Sequence, residues 1–115
     1  MPGTQWIEDF ANSSYNSALA AAAVETITDT KHNKEKFGPF NRLLVSNRDA
    51  VDIKIQFNGL STEGRIIEIP AGGTFLLEPE DGVTFDFITQ TNLDSAVAES
   101  ASKILFRWAK AREKK

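Results

Sequence analysis

The 115-residue chain has no cysteine and only one histidine, His32. Without cysteine there is no disulfide framework, no thiolate nucleophile and no Cys-based zinc site. A single histidine excludes a His-rich metal cage, and no cofactor is expected. Long apolar runs are also missing. The longest uncharged stretch, Phe10 to Val24, includes Asn12, Ser13, Ser14, Asn16 and Ser17. It is too short and too polar to cross a bilayer, so no membrane role is expected. The segment Met1 to Ala11 carries Glu8 and Asp9 but no Lys or Arg, and so lacks the basic region of a secretory signal. The expectation is a soluble protein made in a cytoplasm, with the Asn12-Ser13-Ser14 sequon a chance match.

What is present fits one globular domain. Hydrophobic residues make up 41% and charged residues 25%, with eight phenylalanines and two tryptophans to fill a core. The net charge of −3 is an average over unlike parts. Residues 1 to 59 sum to −1, residues 60 to 102 to −7 and residues 103 to 115 to +5. In the acidic middle, Arg65 is the only base against eight acids. The basic end holds Lys103, Arg107, Lys110, Arg112, Lys114 and Lys115 against Glu113.

After Asn41 the hydrophobic pattern is that of short strands. Arg42 to Asn47 reads as one, and Val51 to Phe57 alternates strictly, four apolar side chains on one face and three polar on the other. Asn58-Gly59 supplies a turn. Further strands are expected over Arg65 to Ile69, Thr74 to Leu77, Val83 to Thr89 and Lys103 to Trp108, with Leu93 to Ser102 a loop or short helical turn. Phe57, Phe85, Phe87, Phe106 and Trp108 are expected to point inward. Val24 to Thr30 is rich in β-branched residues and suits an earlier strand. Residues 5 to 23, with five alanines between Ala18 and Ala23, are the best helix candidate, although the Asn-Ser-Ser-Tyr-Asn-Ser stretch opposes a continuous one. The expected architecture is mainly β: an antiparallel sandwich or small barrel of about seven strands with a helical or extended N-terminal arm. The boundaries that follow are an arm over 1–23, a sandwich over 24–109 and a basic tail over 110–115.

No motif with catalytic spacing emerges. Glu78, Glu80 and Asp81 surround Pro79 and Gly82, which is turn chemistry and lacks the alternating oxygen ligands of a calcium loop. Gly72-Gly73-Thr74 leads into a strand without the lysine of a phosphate loop. His32 lies between Lys31 and Asn33 in a polar loop, and no Gly-x-Ser-x-Gly elbow accompanies it. The chain is expected to be no enzyme and to take no small-molecule substrate. Candidate interface residues are Trp6, Ile7, Phe10 and Tyr15 near the start, and Arg107, Lys110, Arg112, Lys114 and Lys115 at the end. Aromatics often anchor interfaces. A basic end suits an acidic partner. Nucleic acid is disfavoured, because Phe106 and Trp108 read as core rather than as a stacking surface.

From Arg42 to Trp108 the chain resembles the small β-sandwich virion proteins of tailed bacteriophages. The residues responsible are Leu43-Leu44-Val45-Ser46-Asn47, Val51-Asp52-Ile53-Lys54-Ile55-Gln56-Phe57-Asn58-Gly59, Ile67-Glu68-Ile69-Pro70-Ala71-Gly72-Gly73-Thr74-Phe75 and Val83-Thr84-Phe85-Asp86-Phe87. This is a pattern of strands and turns over about half of the chain. The resemblance implies a non-enzymatic structural protein of the decoration, head-fibre or head–tail accessory type. It would assemble in many copies with capsid, portal or tail subunits, in a virion made in the host cytoplasm. The alternative on the same fold is a carbohydrate- or receptor-binding module, which would expose Trp6, Tyr15 or Trp108.

Overall fold

The computed structural model describes residues 6–27, 40–58 and 66–113. Within them lie eight strands: β1 (Trp6–Tyr15), β2 (Val24–Ile27), β3 (Arg42–Asn47), β4 (Ile53–Asn58), β5 (Ile66–Ile69), β6 (Thr74–Leu77), β7 (Phe87–Asn92) and β8 (Ile104–Glu113). All pairings are antiparallel. First pairs with last, second with seventh, third with sixth and fourth with fifth. This is the ladder of one long hairpin, and two more pairings, β3 with β8 and β4 with β7, roll it up. The result is two four-stranded sheets, sheet A ordered β1-β8-β3-β6 and sheet B ordered β2-β7-β4-β5. Eight strands wound in this way form a jelly-roll sandwich.

The core between the sheets is built from alternate residues of each strand, as the two-residue side-chain period requires. Leu43 and Val45 of β3, Ile53, Ile55 and Phe57 of β4, and Ile104, Phe106 and Trp108 of β8 are all buried. Phe85 sits at the middle of the aromatic set, 5.3 Å from Phe57 and 5.7 Å from Phe40 between ring centroids. Phe40 in turn meets Trp108 edge-on, at 6.1 Å and 76°. Burying each such ring contributes about 1.5–3 kcal/mol against leaving it in water.

Two sequence expectations need correction. The helix expected within residues 5–23 does not form among the described residues: 6–15 are strand β1 and 16–23 are loop and turn. Helix nucleation is costly, and a short alanine run cannot recover that cost alone. Strand β1 instead gains a ten-residue ladder along β8. The alanine run holds a neighbouring loop by its backbone, through Ala22 N donating to Asp94 O and Asn92 N donating to Ala23 O. The second correction concerns Phe87. Val83 and Phe85 are buried as expected, but the next inward residue is Ile88, and Phe87 is only half-buried. The alternation breaks because Phe85 pairs with Phe40 in an isolated bridge, after which the chain bends at Asp86 to enter sheet B opposite β4.

The turns agree with their chemistry. Gly72 and Gly82 both take positive φ, +79° and +74°, a region that L side chains rarely adopt. The acidic segment forms a short 3-10 turn at Pro79–Asp81, closed by Gly82. His32, Gly38-Pro39 and Gly59 lie outside the described residues.

Candidate interaction surface

Strand pairing unites two regions that lie at opposite ends of the sequence. The β1–β8 register sets Trp6 opposite Glu113, Ile7 opposite Arg112 and Phe10 opposite Lys110, with an irregularity between Glu8 and Phe10. The N-terminal aromatic residues and the C-terminal basic residues thus share one ribbon. β8 leaves its pairing with β3 at Ala109, so residues 110–113 are laddered to β1 alone among the described strands. The side chain of Asn41 continues the ladder for one step: Ala111 N donates to Asn41 Oδ1 at 2.8 Å, and Asn41 Nδ2 donates to Ala111 O at 2.7 Å. The expected basic tail over 110–115 is therefore strand as far as Glu113, and Lys114 and Lys115 lie outside the described residues.

The outer face of sheet A carries the second feature. Register and alternation put Tyr15, Leu105, Ser46 and Thr74 in one cross-strand row, and Ser13, Arg107, Leu44 and Leu76 in the next. Tyr15 is 60% exposed and Leu76 44%, a large apolar exposure for a sheet face. Two hollows indent this face. One, of about 250 Å³, is lined by Arg42, Leu44, Leu76, Arg107, Trp108 and Ala109. The other, of about 220 Å³, is lined by Tyr15, Ser46, Arg48, Ser102, Lys103 and Leu105. Among these described lining residues four are cationic and none is acidic. Of the residues singled out from sequence, Tyr15 and Arg107 meet here. Arg42, Arg48, Leu44 and Leu76 were missed, because only the register reveals that they neighbour one another.

At the end of the sandwich where β1 passes to β2, β3 to β4 and β7 to β8, polar residues replace the apolar core. Asn16, Asn47, Asp49, Asn92 and Glu99 are buried there, with Gln90 next to them on β7. Buried polar groups persist only when hydrogen-bonded, and these are. Asn16 Nδ2 donates to Glu99 Oε1 at 3.0 Å and to Ser100 O at 2.9 Å, while its Oδ1 accepts from Lys103 N and Ile104 N at 3.0 and 2.9 Å. Ser100 N donates to Asp49 Oδ2 at 2.8 Å. With its amide oriented to face Glu99, Gln90 donates to both carboxylate oxygens at 2.7 and 3.1 Å.

A repeated device holds the turns. In Asn47-Arg48-Asp49 and again in Asn92-Leu93-Asp94, the Asp backbone N–H donates to the Asn Oδ1 at 3.0 Å. Each Asn amide then ties down other chain: Asn47 holds Val51 O and Asn92 holds Ala20 O and Val97 O. Asn-x-Asp after an apolar strand is a signal the sequence did contain.

Burial raises the Glu99 carboxyl above its ordinary value. The Asn16 hydrogen bond opposes that rise, and the nearby charges of Asp49 and Glu25 add to it. The cluster acts as a clasp on residues 93–103, because Asn16, Asp49, Gln90 and Asn92 all bond to that loop or to Ile104 just after it. Among the described residues no group of three His, Cys, Asp or Glu side chains has the geometry to hold a metal ion. No family model, curated protein sequence or solved structure matches the chain.

Proposed function

We propose that this chain is a non-enzymatic structural protein of a phage virion, of the capsid decoration or head–tail accessory kind, present in multiple copies. The observation that carries the reading is the outer face of sheet A, where exposed Tyr15 and Leu76 lie among Arg42, Arg48, Lys103 and Arg107. An apolar patch rimmed by charge of one sign is the composition of a contact surface. The β1–β8 register also brings the N-terminal and C-terminal segments first suspected onto one ribbon. Jelly rolls recur in viral capsid and lectin domains, which supports the reading at the level of fold.

The test is to purify native particles and locate the chain by imaging and co-sedimentation. Recovery at a regular station with fixed copy number is the expected result, and a chain that never sediments with a particle refutes the proposal. The competing reading, a carbohydrate- or receptor-binding module, is favoured by the exposure of Tyr15 beside the second hollow. It loses Trp108, which is only 3% exposed and belongs to the core.

A further inference from the structure

The side chains on the outer face of sheet A fall into rows across β3 and β8. Along β3 the outward positions are Arg42, Leu44 and Ser46, followed by Arg48 just past the strand end. β8 runs the other way, so Ala109 stands opposite Arg42, Arg107 opposite Leu44 and Leu105 opposite Ser46. Lys103 lies level with Arg48, because Arg48 N donates to Lys103 O at 2.9 Å. Arg48, Lys103 and Arg107 are exposed. Leu76 extends the Leu44 row and Tyr15 the Leu105 row. A cation therefore stands in every row but the third, and no acid lines either hollow among the described residues.

We propose that this face receives an extended acidic segment of a partner protein, lying along β3 and β8. Its carboxylates meet the two hollows and its aliphatic side chains cover the rows between. Charge carries the argument. The chain as a whole is at −3, so attraction for an anion belongs to this face and not to the molecule at large. The same cations exclude face-to-face contact with a second copy, which would set like charge on like. The apolar content selects protein over nucleic acid. Leu44, Leu76 and Leu105 offer aliphatic contact, whereas bases stack on aromatics, and Tyr15 is the one exposed aromatic side chain among the described lining residues. Spacing fits as well. An extended segment repeats side chains on one side every 7 Å or so (about 6.6 Å), which is also the row spacing of this face. Arg42 to Arg48 spans roughly 20 Å, so acid, aliphatic, aliphatic, acid at alternate positions matches the four rows.

The inference rests on the assembly reading, to which it adds the partner's chemistry, and is tested apart from it. The probe is a synthetic peptide with Glu, Leu, Leu and Glu at alternate positions and serine between them. Titrated into the isotope-labelled full chain and followed by NMR, it should shift the amides of 42–48 and 103–109 and saturate below about 1 mM. Salt at about 0.5 M should weaken it, because charge pairs at a surface are screened. Arg48→Glu with Lys103→Glu, and separately Arg107→Glu, should each weaken binding at least tenfold, with circular dichroism verifying the fold. Lys54→Glu, on the outer face of sheet B opposite Thr91 and Glu68, should leave binding unchanged. Absence of binding at about 1 mM overturns the proposal. So do shifts mapping elsewhere, or equal binding of a peptide with Lys in place of Glu. A thymidine oligonucleotide that binds this face more tightly overturns it in favour of nucleic acid. The same shifts on concentrating the chain alone overturn it in favour of a second copy. Failure here with the chain still found on particles removes this inference only, whereas the particle test above alone decides the assembly reading.

Discussion

Asn16→Ala is the substitution that most directly tests the polar clasp. Asn16 is 3% exposed and lies one residue past β1, so its side chain is committed to the protein interior. Truncation removes donors to Ser17 O, Glu99 Oε1 and Ser100 O, and the acceptor for two backbone N–H groups at Lys103 and Ile104. Ordinary hydrogen bonds contribute about 1 kcal/mol net, but a buried donor left without an acceptor costs about 1–3 kcal/mol. Ile104 is fully buried, so its N–H cannot turn to water, whereas Ser17 and Ser100 are exposed and their carbonyls regain water. Counting the Ile104 N–H in full, the Lys103 N–H in part and the lost donor to Glu99 gives about 3–4 kcal/mol. For a domain of this size that lowers the thermal midpoint by roughly 10–20 °C. Urea unfolding followed by tryptophan fluorescence measures the difference directly, because Trp108 is in the core. A loss under about 1 kcal/mol, with an unchanged denaturant slope, would show that the network is not holding the loop.

Three further predictions concern the same scaffold. Glu99 has a raised folded-state pKa, so the folded protein binds its proton more tightly than the unfolded chain in the window between the ordinary glutamate value and the raised one. Its contribution to stability is therefore greatest on the acid side and falls as pH rises through that window. Glu99→Gln should flatten this slope and match or exceed the natural chain at pH 7. A variant with an unchanged pH profile by thermal melting refutes the assignment. Phe85→Ala, which empties the site between Phe40 and Phe57, should cost about 3–5 kcal/mol by chemical denaturation, whereas near-neutrality would mean that the ring is not central. Gly72→Ala meets no neighbouring atom but forces a side chain to φ +79°, so about 1 kcal/mol is lost to backbone strain alone. A neutral result in the same assay would show that the β5–β6 turn relaxes.

Most of the β-architecture was legible because alternation is a local property. β3, β4, β6 and β8 fall where apolar residues recur at every second position, and Gly72 marks a turn for a stereochemical reason that needs no partner. The absence of cysteine and the shortage of histidine likewise exclude chemistry whatever the fold. Other features depend on distant chain. Residues 6–15 have no strong preference of their own, and become a strand because β8 offers them an edge. The inward phase of β7 is shifted because Phe85 is held by Phe40 before the chain crosses to sheet B. Glu99 reads as one acid in a small-residue loop and becomes a buried carboxyl only when Asn16, Asp49 and Gln90 arrive from other elements. The candidate surface follows the same rule. Sequence alone determined which residue types the chain has to offer and the two-residue rhythm that makes it a β protein. Tertiary structure decided that Tyr15, Leu44, Leu76, Arg48 and Arg107 share a face, because antiparallel register joins residues by their distance from a turn and not by their distance along the chain.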